Sequence, residues 1–239
     1  MFPCQQLENK HILIAITGGI AAYKVTELVR YLVTNDAEVR IIMTRAAEKF
    51  ITRLTMETLS QNPVESELFP EKDYAATHHV HLADWADAVM VVPASYNMIG
   101  KLRAGIADDL VSTIMAAVHC PTVIAPAMNV HMWLNPVLQD NLKNLQKLGY
   151  LICPPEEGFL AEGYEGKGRL ASLDHLIQYL YRRNNMQEPV AGLLGPIPCR
   201  NVLHAHMMRW CLDAGAFRHY RKRTLQLLSA GLSSLLHHM

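Results

Sequence analysis

The strongest constraint on the fold is the stretch Ile12 to Lys24, ILIAITGGIAAYK. Five apolar residues, Ile12–Ile16, run without a polar break until Thr17-Gly18-Gly19 interrupts them. A strand that is apolar on both sides must be covered on both sides, the condition of a parallel sheet between helical layers. After the glycines a helical pattern resumes through Tyr23, Leu28 and Tyr31. Glycine permits a sharp turn and close approach of backbone to ligand. A helix start offers N–H groups and a positive dipole end to a phosphate. The turn lacks both the full GxGxxG spacing and the Lys-Ser/Thr pair of a Walker loop. Two readings therefore stand: a tight βα turn of any α/β protein, and a phosphate site.

The rest of the chain repeats the strand–turn–helix rhythm. Strands are expected at Ile12–Ile16, Glu38–Met43, Ala88–Val92, Pro121–Ala125 and Tyr150–Cys153. Helices are expected at Ala21 to Val33, Ala46–Phe50, Met56–Ser60, Met98 to Leu102, Asp109 to Val118, Pro136 to Leu148 and Leu173 to Arg183. Alternation of this kind implies right-handed crossovers and an α/β fold, a flavodoxin-like or Rossmann-like three-layer doubly wound parallel sheet. Ligands of such sheets bind beyond the carboxyl ends of the strands, where the winding reverses. The residues after the strands are Thr17-Gly18-Gly19, Thr44, Pro93-Ala94-Ser95 and Pro126-Ala127-Met128-Asn129.

Composition narrows the classes. The 239 residues are half hydrophobic, enough for one large domain plus an appendage. Lys plus Arg and Asp plus Glu are 22 each, so no nucleic-acid or polybasic membrane surface is expected. No apolar run reaches membrane-spanning length, and MFPCQQLENK is too polar for a signal peptide, which points to a cytoplasmic address. The cysteines, Cys4, Cys120, Cys153, Cys199 and Cys211, form no CxxC pair and are expected to be reduced. Beyond Arg183 the rhythm stops. Residues 1–183 are expected to form the domain, and 184–239 an irregular tail rich in His, Arg and Met.

Two segments carry possible chemistry. Thr77-His78-His79-Val80-His81-Leu82 places three histidines in four positions. On a strand His79 and His81 would share a face, but no Cys or carboxylate completes a tetrahedral set, so no metal is assigned. An imidazole acting as acid or base is the better functional reading, and a solvated loop the alternative. Pro126-Ala127-Met128-Asn129 ends a strand. The Asn side chain can grip a ligand carboxylate or amide, or can cap a helix. Met132 and Trp133 follow as pocket wall or core.

Several segments share the order and spacing of one family. They are Gly18-Gly19-Ile20-Ala21-Ala22-Tyr23-Lys24, Met43-Thr44, His79-Val80-His81-Leu82 before Trp85-Ala86-Asp87, Gly105-Ile106-Ala107-Asp108-Asp109-Leu110, Pro126-Ala127-Met128-Asn129 and Gly163-Tyr164-Glu165-Gly166-Lys167-Gly168-Arg169. Over about Lys10 to Arg183 the chain resembles the phosphopantothenoylcysteine decarboxylases, FMN-dependent enzymes of coenzyme A biosynthesis. The resemblance implies an FMN site with Gly18, Gly19, Ile20 and Ala21 at the phosphate end, Thr44 and Phe50 nearby, and Ser95, Tyr96, Asn97 and Met98 against the flavin. It implies His79 as the active-site histidine, Asn129 on the substrate carboxylate, and Met132 and Arg169 as further substrate contacts. It also implies 4′-phosphopantothenoylcysteine as substrate, a homotrimer or dodecamer with His79 and Asn129 meeting across an interface, and a phosphopantothenate–cysteine ligase as a separate partner.

The chain departs from that family twice. Where well-known members have Ala-Cys-Gly, with the cysteine donating a proton in the final reduction, this chain has Ala161-Glu162-Gly163. Either Glu162 donates that proton or the reaction stops at the enethiol, as in peptidyl-cysteine decarboxylases. The other departure is the tail, which lacks the opening strand and glycine loop of a ligase domain and reads as its degenerate remnant.

Overall fold

The computed structural model describes residues 7–69, 78–159, 161, 163 and 165–184. Glu162 and the expected tail beyond Asn184 lie outside the described residues. Six strands form the main sheet: β1 (His11–Ile16), β2 (Glu38–Met43), β3 (Val64–Glu65), β4 (Ala88–Ala94), β5 (Thr122–Pro126) and β6 (Leu151–Ile152). Their order is β3-β2-β1-β4-β5-β6, and every neighbouring pair is parallel. The chain winds outward from β1 to β3, returns to β4, and winds the other way to β6. The reversal falls between β1 and β4, where a doubly wound sheet opens its ligand crevice.

The apolar runs are accounted for residue by residue. Ile12, Ile14 and Ile16 point into one core with Val39, Ile41 and Met43. Leu13 and Ala15 point into the other with Ile42, Val89 and Val91. The first core is closed by α1 (Val25–Thr34), α2 (Arg53–Ser60) and, near the end of the domain, α8 (Leu173–Asn184). The buried residues of α1 are Val25, Leu28, Val29 and Leu32, the spacing of one helical stripe. The second core is closed by α3 (His78–Trp85), α4 (Tyr96–Ala104), α5 (Leu110–Ala117) and α7 (Pro136–Lys147), with the short α6 (Val130–Leu134) between β5 and α7. A separate antiparallel hairpin pairs β7 (Glu156–Phe159) with β8 (Glu165–Arg169).

Three local expectations change. The helix expected from Ala21 begins as a 3₁₀ segment, Ile20–Lys24, and becomes α-helical only at Val25. The phosphate reading of a helix start therefore weakens to a reading of turn backbone. The histidine segment from His78 on is the helix α3, not a strand or loop. His79 and His81 are thus about 200° apart around its axis and share no face. The helices expected to begin at Met56 and Met98 begin a turn earlier. Thr52 Oγ1 accepts from the Thr55 N–H (3.2 Å), and Ser95 Oγ accepts from the Met98 N–H (3.3 Å). These caps satisfy first-turn donors that the apolar pattern does not reveal.

Helix α5 has the firmest start. Asp109 Oδ1 accepts from the Ser112 N–H (2.8 Å), and the Asp109 N–H donates to Ser112 Oγ (3.1 Å). This is a reciprocal capping box. Asp109→Ala is expected to cost about 1 kcal/mol, and Asp109→Asn less, in urea unfolding followed by circular dichroism. Equal midpoints for Asp109→Ala and wild type would contradict the capping account.

Candidate functional site

The loops at the carboxyl edge are tied to one another across the sheet. The Thr44 N–H donates to Ile16 O (3.0 Å), the Thr17 N–H to Pro93 O (3.3 Å), the Ala127 N–H to Ala94 O (3.3 Å) and the Met128 N–H to Gly168 O (3.0 Å). The loops after β2, β1, β4 and β5 and the β7–β8 hairpin thus form one platform. Two cavities open on it, of about 700 Å³ and about 530 Å³, sharing Gly18, Ser95, Tyr96 and Met132. Both fall in the size range of small-molecule and cofactor sites.

The larger cavity is lined by Thr44, Ser95, Tyr96, Asn97 and Met98. The smaller is lined by Gly18, Gly19, Ile20, Ala21, Asn129, Met132 and Arg169. Every cofactor and substrate residue expected from the sequence, except Phe50, lines one or the other. Phe50 closes the short 3₁₀ turn after Thr44, is half-exposed, and lines neither cavity. His79 sits on α3 and also lines neither, so one chain does not bring His79 and Asn129 together. Its neighbour His78 is paired with the Glu65 carboxylate instead. Among the described residues no three His, Cys, Asp or Glu come together to hold a metal ion.

Asn129 reconciles two alternatives. Its Oδ1 accepts from the His131 N–H (2.8 Å), which caps α6 and fixes the plane of the carboxamide at the cavity wall. The helix cap and the place on the cavity wall thus belong to one residue. The two informative glycines act through space rather than left-handed backbone. A Cβ on Gly18 would lie 2.5 Å from the Ala46 Cβ, so the turn after β1 packs on the turn after β2 only without a side chain. A Cβ on Gly168 would lie 2.1 Å from Met128 O. The Gly168 position thus lets the hairpin lie directly on the Pro126–Asn129 loop and carries Arg169 to the cavity.

Electrostatics divide the cavities. Lys24 and Arg169 both line the smaller one, and no Asp or Glu is among its described lining residues. Burial, then the positive Arg169 nearby, push the Lys24 ammonium below its usual range. A cation so placed gains from an arriving anion. In the larger cavity both lining cations are paired, Arg45 with Glu67 (3.6 Å) and Lys101 with two aspartates. Lys101 Nζ lies 2.5 Å from Asp108 Oδ1 and 2.6 Å from Asp109 Oδ2. Burial opposes the Lys101 charge, but these two bonds hold its pKa above the usual lysine value. The bond from Lys101 likewise holds Asp108 below the carboxylate range. Cys153 is buried in the first core, and burial with the nearby Glu156 charge pushes its thiol up to about 12. It is no proton donor to either cavity.

Lys24, Lys101, Asp108 and Asp109 received no role from sequence reasoning, although Lys24 and both aspartates stand inside the recognised motifs. The available signal was position: Lys24 and Lys101 lie in the helical segments that follow β1 and β4, and Asp108 and Asp109 in the loop between α4 and α5.

These features define a class, a doubly wound α/β protein with a two-chambered crevice for a nucleotide-type cofactor and an anionic partner. The chain belongs to the flavoprotein family: the family model described as Flavoprotein matches residues 3–185. It is 42% identical over 189 residues to the coenzyme A biosynthesis bifunctional protein CoaBC of Bacillus subtilis, covering 79% of this chain and 46% of that protein. It is 42% identical over 172 residues to the probable phosphopantothenoylcysteine decarboxylase of Streptococcus mutans, covering 71% of this chain and 96% of that protein. The chain therefore spans about half the length of the bifunctional relatives it matches. Among solved structures, a Cys-to-Ser mutant of PPC decarboxylase complexed with pantothenoylaminoethenethiol superposes with a TM-score of 0.62 at 31% identity. That match covers 74% of this chain and 97% of the other. The FMN-dependent cysteine decarboxylase SpaF superposes with a TM-score of 0.62 at 30% identity, covering 73% and 99%.

Two predictions arise from the hairpin. Gly168→Ala should undock it, abolishing ligand binding in the smaller cavity while the main sheet still folds; titration calorimetry and far-UV circular dichroism read the two separately. Glu156 anchors the partner strand at the same end of the hairpin by accepting from the Ser172 N–H (2.9 Å), with His175 Nδ1 2.8 Å away. Burial raises its pKa, but the Ser172 bonds and the His175 charge outweigh that and leave it below the ordinary value of 4.5. A carboxyl depressed in the folded state stabilises it above the unfolded pKa and loses that contribution as pH falls through the folded one. Wild type should therefore lose stability between roughly pH 5 and 3 more steeply than Glu156→Gln, as read from urea midpoints; parallel pH profiles would refute the assignment.

Proposed function

We propose that the chain binds FMN and decarboxylates N-[(R)-4-phosphopantothenoyl]-L-cysteine to 4′-phosphopantetheine in coenzyme A biosynthesis, a carbon–carbon lyase reaction. The observation that carries this reading is the shared wall: Gly18, Ser95, Tyr96 and Met132 border both cavities, so a cofactor in one touches a substrate in the other. The residues fit the group. An added Cβ on Gly19 would meet nothing within 4 Å, so its backbone faces open space beside Ile20 and Ala21. Ser95 and Tyr96 stand at the head of α4 between the chambers. When bound, FMN would take two electrons from the substrate's CH₂–SH to give a thiocarbonyl, an electron sink for the departing carboxyl group, and would return them as hydride to the resulting enethiol, so that the net reaction is loss of CO₂.

The chain's own residues bind and orient. Lys24 and Arg169 draw the anionic substrate into the smaller chamber. Asn129, its plane fixed by its cap, hydrogen-bonds the carboxylate and holds the breaking bond toward the cofactor. Met132 supplies an apolar wall that excludes water from the thiol carbon. His79 comes from a neighbouring subunit of a homotrimer, or of a dodecamer, and moves a proton at the substrate. Exposed apolar residues beside the cavity, Ile20, Tyr23 and Phe159, support such an interface. Glu162 gives the final proton in place of the family's cysteine. The protein works in the cytoplasm, and its substrate comes from a phosphopantothenate–cysteine ligase, either separate or fused as in the bifunctional relatives.

A second reading is supported by Cys153: the nearest thiol in sequence to Glu162 is buried and held protonated, so no cysteine among the described residues replaces the missing one. In that reading turnover stops at the enethiol.

Purified protein should show a flavin visible spectrum and release CO₂ from phosphopantothenoylcysteine. Mass spectrometry of the product decides between the readings, since the enethiol is lighter by one pair of hydrogens. His79→Asn should keep FMN and lose CO₂ release, and Asn129→Ala should fall by roughly 10²-fold in rate. A colourless protein that takes up no added FMN would end the proposal.

A further inference from the structure

Strand β1 and strand β4 pair along their backbones from Ile12↔Ala88 to Ala15↔Val91. Past that point the ladder fails. Pro93 has no N–H to give, and on its other side β4 shifts register against β5 between Val91 and Ala94. This is the point of reversal in the winding, and the ligand crevice opens just above it. What crosses the gap is Thr17: its backbone N–H donates to Pro93 O (3.3 Å), and its side chain makes the rest of the connection. The Thr17 Oγ1 hydroxyl donates to Pro93 O (2.6 Å) and accepts from the Ser95 N–H (2.8 Å). Thr17 is 1% exposed, so neither bond has water as a substitute.

Both partners lead to the site. Ser95 caps α4 through Met98, and Tyr96, Asn97 and Met98 of that first turn line the larger cavity. Thr17 is itself followed by Gly18 and Gly19 of the smaller one. Oγ1 donates with its hydrogen and accepts with a lone pair, so one atom sets the distance between the two loops that border both chambers. We infer that Thr17 is a positioning residue for the cofactor: its hydroxyl holds the Gly18–Gly19 turn and the Ser95–Met98 turn at the separation the flavin requires, without touching the flavin itself. This rests on the FMN reading above.

Three proteins test it: wild type, Thr17→Val, which keeps the shape and removes the hydroxyl, and Thr17→Ser, which keeps the hydroxyl. FMN dissociation constants come from quenching of flavin fluorescence, and melting temperatures of the FMN-free proteins from circular dichroism. Thr17→Val should bind FMN about tenfold more weakly or worse, the cost of leaving the Ser95 N–H without its acceptor and of removing the hydroxyl's bond to Pro93 O. Thr17→Ser should bind within about threefold of wild type even where its melting temperature falls. If Thr17→Val does not fold, Thr17→Cys, a much poorer donor of similar size, is read in its place with the same expected loss. Wild-type affinity in the folded hydroxyl-less variant, with only the melting temperature lowered, overturns the inference and leaves the FMN reading standing. A wild type that binds no FMN overturns both.

Discussion

A parallel sheet covered by helices on both faces leaves only its two edges of strand ends open, and its backbone groups there must find partners or water. In this chain the carboxyl edge is stitched by a row of hydrogen bonds, from Thr44 to Ile16, Thr17 to Pro93, Ala127 to Ala94 and Met128 to Gly168. Each bond joins segments far apart in sequence. The platform so formed is rigid because its donors and acceptors are satisfied, not because its loops are short. Both chambers depend on it: the Thr44 tie holds a wall of the larger, the Met128 tie a wall of the smaller, and the Thr17 tie lies next to Gly18, which they share.

The same logic explains why the glycines sit where they do. Gly18 and Gly168 lie at crossings where two backbones touch, one against Ala46 and one against Met128. Neither is needed for a left-handed turn. Gly19, by contrast, faces open space, so the first glycine of the pair serves packing and the second leaves room above the crevice. Reading both as flexible turn residues captures the position and misses the division of labour.

How much was visible in the sequence depended on whether the signal was local. The β1, β4 and β5 runs are continuous and apolar because both faces are buried, and that pattern survives without any knowledge of partners. The strand-end residues followed from the winding rule, and with them Thr44, Ser95 and Asn129. The β7–β8 hairpin was illegible for the opposite reason. Glu156–Phe159 and Glu165–Arg169 are polar and glycine-rich, and they are held by Met128 and Ser172 from elsewhere in the chain. Helix α3 was missed because its histidines face more than one side, and the only residues it buries are Leu82 and Ala83. Lys24 stood in the recognised motif, yet its electrostatic role appears only when β8 brings Arg169 across.

The distribution of charge between the chambers separates their tasks. Lys101 is saturated by Asp108 and Asp109 and Arg45 is paired with Glu67, so the larger chamber offers a charge-paired polar wall. Lys24 and Arg169 face the smaller chamber with no acidic residue among its described lining, and burial holds Lys24 away from water. Like charges in partial burial repel each other and favour an anion between them. The fold therefore carries an unspent positive field on one side of the Ser95–Tyr96 ridge and a balanced one on the other. Gly18, Gly19, Ile20 and Ala21 line that same positive side, so an anion held by their turn meets the same two cations.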